Sequence, residues 1–140
     1  MGLRKSHADG IERLDTNILI RLITRDNPKQ LKKIKKLLSH QEKLYIFEDA
    51  AMMEVVFVLA GSLYNYPRAK ISAKIKSIML IPNISFNKSI IEGALDVYVS
   101  HPKLSFVDCY LAVIADTTKE TPLWTFDHKL IAQCPFAKEP

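Results

Sequence analysis

The chain has 140 residues, 48% hydrophobic and 25% charged, the make-up of one globular domain large enough to bury its own core. Its formal charge of +5 is uneven: residues 1–43 hold eleven Lys and Arg against five acids, which favours a polyanionic partner, nucleic acid first. No stretch approaches the ~18 apolar residues of a membrane span, no secretory signal pattern opens the chain, and Cys109 and Cys134 lack metal-site spacing, so a cytoplasmic, reduced protein with no membrane role is expected.

Residues 1–10 read as a flexible leader and residues 11–140 as a single domain. A first strand is predicted over 11–15 and a short helix over 17–24. Asp26-Asn27-Pro28 then starts a second helix, with the proline in its first turn. Leu31, Ile34, Leu37 and Leu38 make its apolar stripe, and Lys29, Lys32, Lys33, Lys35 and Lys36 take the other side. A second strand is predicted over 44–47. Asp49 is placed to cap a long helix running to Tyr64 and buried on most of its circumference. Pro67 opens the next helix, where Ile71, Ile75, Ile78 and Met79 recur at helical spacing. A third strand over 84–86 leads to a helix over 88–99. A further helix begins at Ser105 or Phe106 and ends near Lys119. A fourth strand over 123–126 precedes a last turn of helix, and any fifth strand after Cys134 is vestigial. Repeated β-α units predict an α/β fold, a three-layer α/β/α sandwich around a mostly parallel sheet of four to five strands.

Four acids stand in apolar company. Asp15 and Asp127 lie at the ends of predicted strands, where sites of parallel sheets gather. Asp108 opens the apolar stretch 109–115, and Glu54 is the only charge between Ala50 and Gly61. A carboxylate in apolar surroundings is costly unless it is paired or holds a cation. Asp15 and Asp127 also suit helix N-caps, and Ser105 to Asp108 has the shape of a capping box. Glu54, in mid-helix, has no such role. The four together point to a shared site for one or two hard divalent cations, Mg²⁺ or Mn²⁺, which prefer oxygen ligands.

The stretch Leu14-Asp15-Thr16-Asn17-Ile18-Leu19-Ile20-Arg21-Leu22 resembles the opening motif of PIN-domain ribonucleases, especially the VapC-type toxins. Thr24 to Gln30 resembles the next segment of that family. Met53-Glu54-Val55-Val56-Phe57-Val58-Leu59 is similar to the helix bearing the second acid. Phe106-Val107-Asp108 matches the third, and Trp124-Thr125-Phe126-Asp127 matches the Thr-x-Asp of the fourth. The resemblance implies metal-dependent endoribonuclease activity on RNA, homodimerisation, and inhibition by an antitoxin protein. It assigns Asp15, Glu54, Asp108 and Asp127 to catalysis and metal binding, with Asp15 and Asp108 expected as direct ligands. Asn17 and Thr125 would support them by hydrogen bonding, and Thr16 would do so less strongly. Glu12 and Arg13 depart from the wholly apolar first strand that a central position demands.

Two other readings compete. A phosphatase of the haloacid dehalogenase type would need a second aspartate at Asn17, and a receiver domain would need adjacent acids before its phosphoacceptor. A PIN-like module that binds RNA or protein without cleaving it would keep the fold and lack the activity.

Overall fold

The computed structural model describes residues 11–140. The predicted leader lies outside them. Short strands alternate with longer helices: β1 (Ile11–Arg13), α1 (Thr16–Thr24), α2 (Pro28–Leu38), β2 (Leu44–Ile46), α3 (Asp49–Ala60), α4 (Arg68–Ile78), β3 (Ile84–Ser85), α5 (Lys88–Ser100), α6 (Phe106–Thr118), β4 (Leu123–Trp124), α7 (His128–Gln133) and β5 (Ala137–Lys138).

Every strand pairing is parallel. β1, β2 and β3 lie side by side in that order, with Arg13 opposite Ile46 and Ile46 opposite Ser85. β4 pairs with β5, Leu123 opposite Ala137. Parallel neighbours must be joined through crossovers, and helices fill those crossovers here, so the fold is of the predicted α/β class. The predicted mostly parallel set of four to five strands is present as ladders of three and two strands, with no pairing between β1 and β4 among the described residues.

That division accounts for Glu12 and Arg13. Among the described residues β1 is an edge strand, and all three of its residues are exposed. Lys43 Nζ lies 3.3 Å from Glu12 Oε2, and Arg13 Nε donates to Glu48 Oε1 at 2.9 Å. Charges that would be ruinous inside a sheet are tolerable on an edge, where they also discourage further pairing.

The helices follow their predicted faces with two exceptions. α1 buries Leu19, Ile20 and Ile23, and α2 buries Leu31 and Ile34 while its five lysines stay exposed. Asn27 starts α2 by accepting the Gln30 amide at 3.0 Å, with Pro28 in the first turn where its missing N–H costs nothing. The first exception is α3, which ends at Ala60 rather than Tyr64. The second is its solvent-facing strip. Ala50, Glu54 and Phe57 share one side at helical spacing and are all exposed, Phe57 by 80%. Glu54 is therefore not a buried carboxylate, and the desolvation cost expected for it is absent. A run of apolar letters concealed an outward face.

The core gathers Leu19, Val55, Leu59, Ile71, Ile75 and Leu95, none with accessible surface. Each such side chain contributes about 1.5–3 kcal/mol by leaving water. α5 and α6 approach closely at Gly93, where an added Cβ would meet Val113 Cγ1 at 3.2 Å. Arg68, at the start of α4, fixes the connection that leads into α6. Its Nη1 donates to the carbonyls of Tyr98 at 2.9 Å and Leu104 at 2.7 Å, and its guanidinium lies 4.0 Å from the centre of the Tyr98 ring. Tyr98 in turn meets Phe106 edge-on at 5.6 Å. No described helix is long and apolar enough to cross a membrane.

Candidate active site

Three of the acids sit on elements that pack in series, α1 against α3 and α3 against α6, while Asp127 follows β4, which packs on α6, and stands at the start of α7. Asp15 follows β1 and caps α1, its Oδ1 accepting the Thr16 amide at 2.8 Å. Thr16 is buried, and its Oγ1 donates to Glu54 Oε2 at 3.2 Å. This one residue joins the first two acids: its amide meets Asp15 and its hydroxyl meets Glu54. Thr16 ranked below Asn17 and Thr125 in the sequence, and the geometry promotes it.

Asp108 lies half-buried in the first turn of α6. Its amide donates to Ser105 Oγ at 3.2 Å, the capping half of the predicted box. Asp127 caps α7, Oδ1 accepting the amides of Lys129 at 2.9 Å and Leu130 at 3.3 Å. Thr125 Oγ1 accepts the Asp127 amide at 3.0 Å, holding the turn that presents the carboxylate. Asn17 is exposed and lines a groove between α1 and α2 with Arg21, Gln30 and Lys33.

Three of the four acids thus stand at helix N-termini, where backbone N–H groups and the helix dipole stabilise negative charge. Among the described residues none of the four takes part in an ion pair; Glu12, Asp26, Glu42, Glu48, Asp96 and Asp116 do instead. Nor do any three acidic, histidine or cysteine side chains among those residues stand close enough together to hold a metal ion. Asp15 and Glu54 are brought together through Thr16. Asp108, on α6, and Asp127, at the start of α7, are not brought into one ligand set among the described residues.

A family comparison supplies the deciding observation. The PIN domain profile matches residues 14–134, a span that includes all four acids. The chain belongs to the PIN domain family. Members of this family are typically nucleases and generally use divalent metal ions. Neither a curated protein nor a solved structure shows a significant match. The PIN match begins just after β1 and ends before β5, and it spans every position that bears one of the four acids.

One polar network escaped the sequence. Asp49 was expected to cap α3, yet Glu48 holds that position and Asp49 lies in the first turn. The Asp49 carboxylate accepts Tyr110 Oη at 2.5 Å and Asn87 Nδ2 at 2.9 Å, both at Oδ2. Burial, and then the bond to Asp49 and its charge, push the Tyr110 phenol up to about 12. Asp49 and Asn87 each follow a strand of the same parallel ladder, a shared position that could have flagged them.

Proposed function

We propose that this PIN domain is a divalent-metal-dependent endoribonuclease and the toxin of a toxin–antitoxin pair. The observation that carries the reading is four carboxylates without counter-ions among the described residues, on α3 and at the starts of α1, α6 and α7 of a PIN domain. An all-oxygen donor set of this kind suits Mg²⁺ or Mn²⁺, with Asp15 and Asp108 as direct ligands and Glu54 and Asp127 acting beside them or through water. When bound, such an ion activates water and neutralises charge developing on the phosphate and the departing oxygen. Thr16 orients Glu54, and Thr125 orients the turn at Asp127. The lysines of α2 offer an electrostatic approach for the RNA backbone.

Exposed apolar side chains lie beside the acids: Phe57 on the Glu54 face of α3, Val107 next to Asp108, and Trp124 and Phe126 flanking Thr125. Such side chains suit an antitoxin segment or a second copy of this chain. The test uses purified, partner-free protein and mixed RNA, with Mn²⁺ and then with a chelator. Cleavage should require the cation and vanish in Asp108→Asn. Products that persist with chelator, or in that variant, would refute the reading.

A second reading has its own support. Asp15 and Asp127 already serve as caps, and no three ligands converge among the described residues. In that case the domain binds RNA without cutting it, and RNA binding survives the loss of Asp108 with no products under any cation.

A further inference from the structure

The C-terminal ends of β2 and β3 border an open hollow of about 480 Å³ that the acidic site does not use. Its walls include the Phe86 ring, Ser85, Asn87, Asp49 and Ala50. Because β1, β2 and β3 are parallel and in register, Asp15, Glu48 and Asn87 all leave the same edge of one ladder. Neighbouring strands are about 4.8 Å apart, so the end of β3 lies about 10 Å along the rim from the end of β1. Ala50 and Glu54 share a face of α3, one turn apart, so the wall of the hollow runs onto the surface that presents Glu54. The Arg13–Glu48 pair bridges β1 and β2 between the two places, and only Nε of Arg13 is engaged in it.

The chemistry inside the hollow is selective. Phe86, half-buried and packed against Phe47 at 5.9 Å, places an aromatic side chain in its lining. Asp49 Oδ2 is saturated by Tyr110 and Asn87, which locks the carboxylate in one orientation. Oδ1 has no protein donor among the described residues, and no fully buried side-chain oxygen there lacks a partner, so Oδ1 of half-buried Asp49 is not sealed from solvent. The hollow therefore offers a stacking surface beside a free, oriented acceptor. A carboxylate acceptor suits the exocyclic amino group of cytosine, adenine or guanine and repels the carbonyl oxygens of uracil.

We infer that this hollow is a nucleobase subsite that takes an amino-bearing base, in preference to uracil, from the RNA strand lying across the acids. It rests on the nuclease reading and adds the determinant of base preference. Asp49, Asn87 and Phe86 read the base next to the scissile phosphate, while the four acids serve the bond itself. Tyr110, on α6 two residues from Asp108, positions Asp49.

The experiment measures binding of short fluorescent homo-oligomers of C, A and U to the full chain in chelator, with Mn²⁺-dependent cleavage measured separately. The wild type should bind the C and A oligomers about fivefold more tightly than U, the worth of one modest hydrogen bond. Asp49→Asn is the decisive variant. Its amide oxygen stays with the Tyr110 and Asn87 donors, which turns its nitrogen donor into the hollow, so the preference should move toward U. Asn87→Ala, at an exposed position, should bring the ratio toward one, and thermal unfolding checks that each variant is folded. A wild type indifferent to the base, or an unchanged ratio in both variants, overturns the subsite. Base-selective binding without cleavage retains the subsite and overturns the nuclease reading. Cleavage with no base preference does the reverse.

Discussion

Asp15 combines a structural role with a proposed chemical one, and substitution separates them. Its Oδ1 accepts the Thr16 amide at 2.8 Å at the start of α1. Asparagine caps a helix about as well as aspartate, so Asp15→Asn keeps that bond and gives up only the charge. The lost interaction with the helix dipole is worth about 0.3–1 kcal/mol at an exposed site. Asp15→Ala loses the acceptor as well, about 1 kcal/mol more. In chelator, urea denaturation should therefore rank wild type first, Asn slightly below it and Ala last. With Mg²⁺ at about one hundred times its dissociation constant, linkage should add about 2.7 kcal/mol to the wild type. Neither variant should gain comparably, and neither should cleave RNA. If Mg²⁺ stabilises Asp15→Asn as much as the wild type, or that variant cleaves normally, Asp15 is a cap and nothing more.

Arg68→Ala should cost about 3 kcal/mol, since two short charged hydrogen bonds and a ring contact disappear together. Arg68→Lys should recover part of that in urea denaturation, and a loss below about 1 kcal/mol would rule out the strut role. Alkaline pH should weaken the fold. Burial pushes the Cys109 thiol from 9.0 up to about 11, and Tyr110 rises from 10.0 to about 12. Both groups bind their proton more tightly when folded, so the stability they give is complete below pH 9 and is lost as pH rises through 11 and 12. Cys109 alone should contribute a loss of roughly 2 kcal/mol by pH 11, seen as a falling melting temperature that Cys109→Ala flattens. Replacing Lys29 and Lys33 with Ala should reduce the dependence of log affinity for single-stranded RNA on log salt by about 0.7 per lysine. An unchanged slope would remove α2 from the RNA path.

Periodicity carried most of the fold. Leu31 and Ile34 of α2, and Ile71, Ile75 and Met79 of α4 and its C-cap, are buried as their spacing predicts. Pro28, Asn27 and Ser105 mark helix starts through chemistry local enough to be read from neighbouring letters. Tertiary relations were harder to read. That β1 lies on an edge depends on which strands meet, and the misfit of Glu12 and Arg13 with a central strand was the only hint. The Asp49–Tyr110 bond spans sixty-one positions and leaves no periodic trace. α3 misled because its outward strip includes Ala50 and Phe57, residues whose composition argues for burial.

Glu54 owes its link to Asp15 to position rather than to burial. A lone buried carboxylate would be costly, and exposure on the outer face of α3 removes that cost. What remains is an outward Glu on the helix between α1 and α6, tied through buried Thr16 to the residue that caps α1. The helix N-termini make a related point. Asp15, Asp108 and Asp127 receive dipole stabilisation there, and Asp15 and Asp127 also accept backbone amides, so the domain tolerates three of its four acids without any ion. On the proposed nuclease reading, the fold would not depend on the metal, and the energy of ion binding would be available for organising substrate.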